Sequence, residues 1–87
     1  MIKILYFAQF RERLNCESEE IHPDDLQQES LTIENLMAYL AGRGEPWSEV
    51  FNNNQRMLVA VNQEISRTGT LIKDNDEVAF MPPVTGG

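Results

Sequence analysis

A chain of 87 residues, 41% of them hydrophobic, suffices for one small domain with a single core. Its formal net charge of −7 sets it against nucleic acid and anionic membrane, which repel an acidic surface, and favours a basic docking surface on a partner protein. Cys16 is the only cysteine, so no disulfide can form within the chain, which fits a reducing compartment. The apolar opening, residues 1–10, is too short for a membrane span, lacks a small-residue cleavage site and runs into Arg11, Glu12 and Arg13. It reads as a strand, and the expected location is cytoplasmic.

Residues 2–8 form the first expected strand. Ile2, Ile4 and Tyr6 would face one side, and Lys3, Leu5 and Phe7 the other. Residues 9–15 read as a polar turn, and a weaker second strand within residues 17–22 is expected to pair with the first as a hairpin. His22-Pro23-Asp24-Asp25 opens a polar, acidic loop running to about Ser30. Thr32 is placed to cap a helix with Glu34 in its first turn. Ile33, Leu36, Met37 and Leu40 follow with helical spacing, and Gly42 and Gly44 end it. Residues 46–51 are expected to add a short turn that caps the core with Trp47 and Phe51, and Asn52-Asn53-Asn54 a loop. Residues 57–62 read as a strand and residues 63–69 as a connection with Ile65 isolated in it. Asp74-Asn75-Asp76 is a turn in which Asn75 tolerates a left-handed backbone, and residues 77–81 make the last strand. The pattern predicts an α+β fold: a small mixed sheet with one main helix packed on one face.

If Ile2, Ile4, Tyr6, Val78 and Phe80 face that helix, then Leu5, Phe7, Ala79 and Met81 face away. This outward set is more apolar than a solvated sheet face needs, with Ile65 nearby, and marks a protein docking surface.

The domain proper is read as residues 1–81 and an extended tail as residues 82–87, Pro82-Pro83-Val84-Thr85-Gly86-Gly87. Two prolines fix φ and favour an extended stalk; two glycines lack Cβ atoms, so the tip is thin enough for a narrow channel. Six extended residues reach roughly 20 Å. The reactive group at such a tip is the Gly87 carboxylate. His22 and Cys16 have no partners at ligand or catalytic spacing, so no metal site and no nucleophile-base pair is expected. Gly42-Arg43-Gly44 ends a helix instead of opening one and is no phosphate loop.

Phe7-Ala8-Gln9-Phe10-Arg11-Glu12, Ala60-Val61-Asn62 and, above all, the block from Asp76 through Pro82-Pro83-Val84-Thr85-Gly86-Gly87 carry a resemblance over nearly the whole chain. The chain resembles the ubiquitin-like β-grasp proteins, and within them the small-subunit family of molybdopterin synthase, the sulfur carriers of molybdenum cofactor synthesis. Asn75 departs from the glycine usual there, and the acidic loop at about residues 19–30 is longer than in short members.

The resemblance implies a β-grasp fold with a flexible Gly-Gly tail and a non-catalytic small subunit without a permanently bound cofactor. An adenylating enzyme of the ubiquitin-activating type would use ATP and magnesium to convert the Gly87 carboxylate to an acyl-adenylate. A sulfur donor protein would then displace AMP and leave a thiocarboxylate. The large catalytic subunit, in an expected heterotetramer, would pass that sulfur to a pterin precursor and build its dithiolene. Pro82, Pro83, Val84, Thr85 and Gly86 would position Gly87, and Phe7, Ile65 and Met81 would dock the partner. Three alternatives stay open: sulfur delivery to thiazole, tRNA or a tungsten-linked pathway; attachment through Gly87 to protein lysines; and a plain binding module.

Overall fold

The structure is a computed structural model and describes residues 1–26, 31–52 and 57–83. In chain order these form β1 (Ile2–Tyr6), α1 (Ala8–Leu14), β2 (Ser18–Ile21), a 3-10 turn (Pro23–Leu26), α2 (Ile33–Ala41), α3 (Trp47–Asn52), β3 (Leu58–Val61), β4 (Glu64–Ser66) and β5 (Glu77–Met81). The strands make one mixed sheet in the order β2-β1-β5-β3-β4. β1 and β5 run parallel at its centre, and the other pairs are antiparallel.

Alternation along the strands decides what is buried. Ile2, Ile4 and Tyr6 of β1 and Val78 and Phe80 of β5 are at most 1% exposed. They join Val59 of β3, Ile33, Leu36 and Leu40 of α2, and Val50 of α3 in one core cluster. α2 begins as its sequence predicts. The Thr32 hydroxyl accepts from the Asn35 N–H, and the Asn35 side chain accepts from the Thr32 N–H, each at 3.1 Å. The N–H groups of Ile33 and Glu34 donate to the carbonyls of Thr70 and Thr68, so the first-turn donors that a helix leaves unpaired are all satisfied. The helix ends at Ala41; Gly42 keeps right-handed angles, and Gly44 supplies the positive φ of 88°.

Two segments differ from expectation. Residues 9–15 are not a polar turn, because Ala8–Leu14 is a helix that buries Phe10 and Leu14. Those two residues are four apart and share one helix face, while Gln9, Arg11 and Glu12 face water. Nor is Ile65 isolated in a connection. Asn62 and Gln63, with φ of 52° and 69°, make a two-residue turn that folds β4 back on β3. The sheet therefore has five strands where four were expected, and α2 shares its face with α3.

Trp47 and Phe51 of α3 close the core as expected. Their rings join Tyr6 and Phe80 in a circuit of contacts with centroid separations of 5.1 to 6.4 Å. Tyr6 also reaches outward. Its hydroxyl donates to Glu19 at 2.7 Å, and Glu19 accepts two further hydrogen bonds from Arg43, at 2.7 and 2.8 Å. The Arg43 guanidinium lies 4.5 Å from the Trp47 ring centre. Glu19 pairs with Ile4 in register and so belongs to the core-facing side of the edge strand. Burial pushes its carboxyl up, but the hydrogen bonds from Arg43 and Tyr6 outweigh this, and the net shift is downward. Burial first, and then the bond to Glu19, push the Tyr6 hydroxyl far up, so it stays a donor.

Because the folded carboxyl titrates below its unfolded value of 4.5, the stability it contributes is complete above that pH and is lost as pH falls through the lower folded value. Glu19→Gln should therefore cost about 1–2 kcal/mol at neutral pH, and the gap to wild type should narrow progressively below about pH 4.5. Urea unfolding of both proteins across a pH series measures this; a gap that does not change with pH would show that the pair contributes no net charge-dependent stability.

Candidate functional site

The sheet face opposite the helices is where the expected docking residues gather. Register sets Leu5 of β1 beside Ala79 of β5, Ala79 beside Ala60 of β3, and Ala60 beside Ile65 of β4, one row across the sheet. A second row follows at the end where the chain leaves β5. Met81 pairs with Leu58 there, and the Phe7 N–H continues the β1–β5 ladder by donating to the Phe80 carbonyl at 3.1 Å. Phe7 is thus the next rung, beside Met81, with Pro82 directly after.

The exposed part of this face is smaller than the sequence suggested. Phe7 is 43% and Ile65 61% exposed, whereas Leu5, Leu58 and Met81 are half-buried and Ala79 and Ala60 are closed off from solvent. The two alanines are single methyls in the middle of a sheet whose neighbours carry larger side chains. The face consists of two apolar prominences, Phe7 and Ile65, on a low apolar floor. Leu58 and Ala60 belong to that floor and were missed. The two-residue period of β3 could have found them, because Val59 and Val61 on the opposite face fix their side.

Of the tail, Pro82 and Pro83 are half-buried. Val84, Thr85, Gly86 and Gly87, the positions expected to carry and present the reactive carboxylate, lie outside the described residues.

At the opposite end of β5, the resemblance motifs hold strands together. The Asn62 N–H donates to the Glu77 carbonyl at 2.8 Å, and its side-chain oxygen accepts from the Glu77 N–H at 3.0 Å. Its amide nitrogen donates to Asp76 at 3.0 Å, and Asp76 in turn accepts from the Lys73 N–H at 2.8 Å. Asn75, at φ 73°, makes the left-handed turn expected of it. These residues fix the register of β5 and therefore where Met81 and the tail root emerge.

Other chemistry-bearing residues have local partners. Burial first, then Glu19, push the Cys16 thiol up, which disfavours the thiolate, and the thiol lies 3.6 Å from the Ser18 carbonyl. His22 accepts from the Asp24 N–H through Nδ1 at 3.2 Å. A hollow of about 350 Å³ lies on the helix side, lined by Glu34, Met37, Ala38, Phe51, Asn52 and Thr68. Among the described residues no helix is long and apolar enough to cross a membrane.

Comparison with known proteins fits this geometry. Residues 4–87 match the model of the ThiS family. The molybdopterin synthase sulfur carrier subunit of Escherichia coli is 38% identical over 87 residues, covering 100% of both chains. A solved structure described as a putative molybdopterin converting factor, subunit 1, from Pyrococcus furiosus superposes with a TM-score of 0.75 at 30% identity, covering 95% of this chain and 97% of that one. In fold alone, the chain is also similar to a protein in a complex of subunits 1 and 2 of molybdopterin-converting factor from Helicobacter pylori, with a TM-score of 0.63 and 22% identity over 99% of this chain and 97% of that one. With the five-stranded mixed sheet and its helix-covered face, these matches identify an α+β, ubiquitin-like β-grasp protein, and the chain belongs to the ThiS family, among the molybdopterin synthase sulfur carrier subunits.

Proposed function

We propose that this chain is the sulfur-carrying small subunit of a molybdopterin synthase and works in molybdenum cofactor synthesis. The end-to-end match to a relative named for that role carries the proposal. The apolar pair Phe7 and Met81 at the root of the Pro-Pro stalk supports it, because a carrier must dock where its tail begins.

The chemistry follows from the tip. A carboxylate oxygen is a poor leaving group, so Gly87 needs activation before sulfur can replace it. An adenylating enzyme uses ATP and magnesium to form the Gly87 acyl-adenylate with loss of pyrophosphate. Sulfide supplied by a sulfur donor attacks the acyl carbon, the bond to the AMP oxygen breaks, AMP leaves, and a Gly87 thiocarboxylate remains. The tail then enters the large subunit, which transfers the sulfur to the pterin precursor; two such transfers complete the dithiolene. Gly86 and Thr85 position the tip, Pro82, Pro83 and Val84 form the stalk, and Phe7, Ile65 and Met81 dock the partner. The chain supplies no resident cofactor. A cytoplasmic setting and a heterotetramer of two small and two large subunits go with this role.

Incubation with the adenylating enzyme, ATP and a sulfur source should produce an oxygen-for-sulfur mass gain that maps to Gly87. No exchange, with the enzyme active on an established carrier, overturns the carrier role, and isopeptide-linked conjugates in extract would redirect it to protein modification. Gly86→Ala should slow activation or transfer at least about tenfold if the tip passes through a channel too narrow for a Cβ, with unfolding unchanged. Full activity would remove the narrow-channel requirement. Phe7→Asp should weaken binding to the large subunit at least about tenfold while shifting stability by only about 0.5 kcal/mol, as for an exposed residue. Calorimetric titration and urea unfolding read the two, and a collapsed fold would mean that Phe7 is structural.

A further inference from the structure

Among the described residues, five that are not glycine adopt a positive φ. Four are asparagine or glutamine: Asn15 at the end of α1, Asn62 and Gln63 in the β3–β4 turn, and Asn75 before β5. The short side chain of asparagine bonds locally and tolerates left-handed angles, and Gln63 takes the second position of a tight hairpin turn that requires a positive φ. The fifth is Ala8, with φ 53°. It has no polar group to compensate and is exposed, so no buried contact of its methyl accounts for the choice. Glycine would adopt the same angles without the steric penalty.

What alanine adds at such a joint is restriction. Glycine can sample several backbone wells, whereas an L-residue held at positive φ has one narrow well. The neighbouring contacts make that restriction consequential. The Phe7 N–H is bonded to the Phe80 carbonyl at 3.1 Å, which continues the β1–β5 ladder. The Phe7 carbonyl accepts from the N–H groups of Phe10 and Arg11, at 3.1 and 3.5 Å, and so starts α1 in place of a side-chain cap. Phe7 is the hinge between strand and helix, and Ala8 is the residue where the chain changes hand.

We propose that Ala8 is a positioning residue. Its left-handed joint holds the exposed Phe7 ring beside Met81 at the tail root, in the orientation that the large subunit receives. The proposal rests on the docking role given to Phe7 above.

The test is a double-mutant cycle of Ala8→Gly and Phe7→Ala, read by calorimetric titration with the cognate large synthase subunit and by thermal unfolding of the free protein. Ala8→Gly should bind about two- to fivefold more weakly, because the joint must now be ordered on binding, while its unfolding midpoint is unchanged or higher. In the Phe7→Ala background the same change should have no effect on binding. A D-alanine variant at position 8, made by joining synthetic residues 1–15 to residues 16–87 at Cys16, favours positive φ and should restore wild-type affinity. Unchanged affinity of Ala8→Gly, beside a weakened Phe7→Ala, overturns the positioning role and leaves docking intact. An equal loss with and without Phe7 assigns Ala8 to general structure and overturns it too. If Phe7→Ala itself binds like wild type, the docking role fails first and takes the proposal with it.

Discussion

The parallel pairing of β1 with β5 is the constraint on which the rest depends. Parallel neighbours cannot be joined by a tight turn, so the whole intervening chain must cross over and return. Register then sets Ile4 beside Val78 and Tyr6 beside Phe80 on the core side, with Leu5 beside Ala79 on the other. A slip of one residue would turn Phe80 out and Met81 in, because side chains alternate across a strand. The same register puts Phe7 next to Met81, so core packing and the composition of the tail root are one geometric decision. The Asn62, Asp76 and Glu77 clasp at the far end of β5 guards it.

Tyr6 links that core to the sheet's edge. Its ring contacts Trp47 and Phe80, and its hydroxyl completes the shell around Glu19. A carboxylate on the inward side of an edge strand is costly without partners. Here Arg43 neutralises it through two hydrogen bonds and lies over Trp47, so α2's C-terminal turn is tied to the sheet by charge and aromatic contact together. Glu20 remains exposed on the same strand, and Glu17 is exposed just before it. Charge on both sides of β2 discourages another strand from pairing with it.

Periodicity made most of the architecture legible. β1, α2 and β5 each have a clear apolar repeat, and the Thr32 cap and the Asn75 turn have residue types suited to one geometry. The same alternation marked Leu5, Phe7, Ala79 and Met81 as the outward face. α1 and β4 escaped because each is short. Two apolar residues among charged ones, Phe10 and Leu14, look like a turn until the core they enter is known, and three residues around Ile65 cannot display a period. Glu19 was hidden for another reason. In a run of Glu17, Glu19 and Glu20, only register distinguishes the inward carboxylate from its solvated neighbours, and its partner Arg43 is 24 positions away.

In the proposed carrier role, the tail root would leave the chemistry to a partner. Phe7, Met81, Pro82 and Pro83 carry no acid, base or nucleophile, so these side chains would not compete with a partner's active site for the tip. The proposed carrier would work by restricting position. Prolines would limit the conformations that the stalk gives up on entering a partner's channel, and a rigid docking residue at its base would fix where the stalk begins. Ordering that is already complete in the free protein is not charged against binding. The sheet's central parallel pair supplies that order at the base, and the proposed role of Ala8 extends it by one residue, from the ladder to the ring of Phe7.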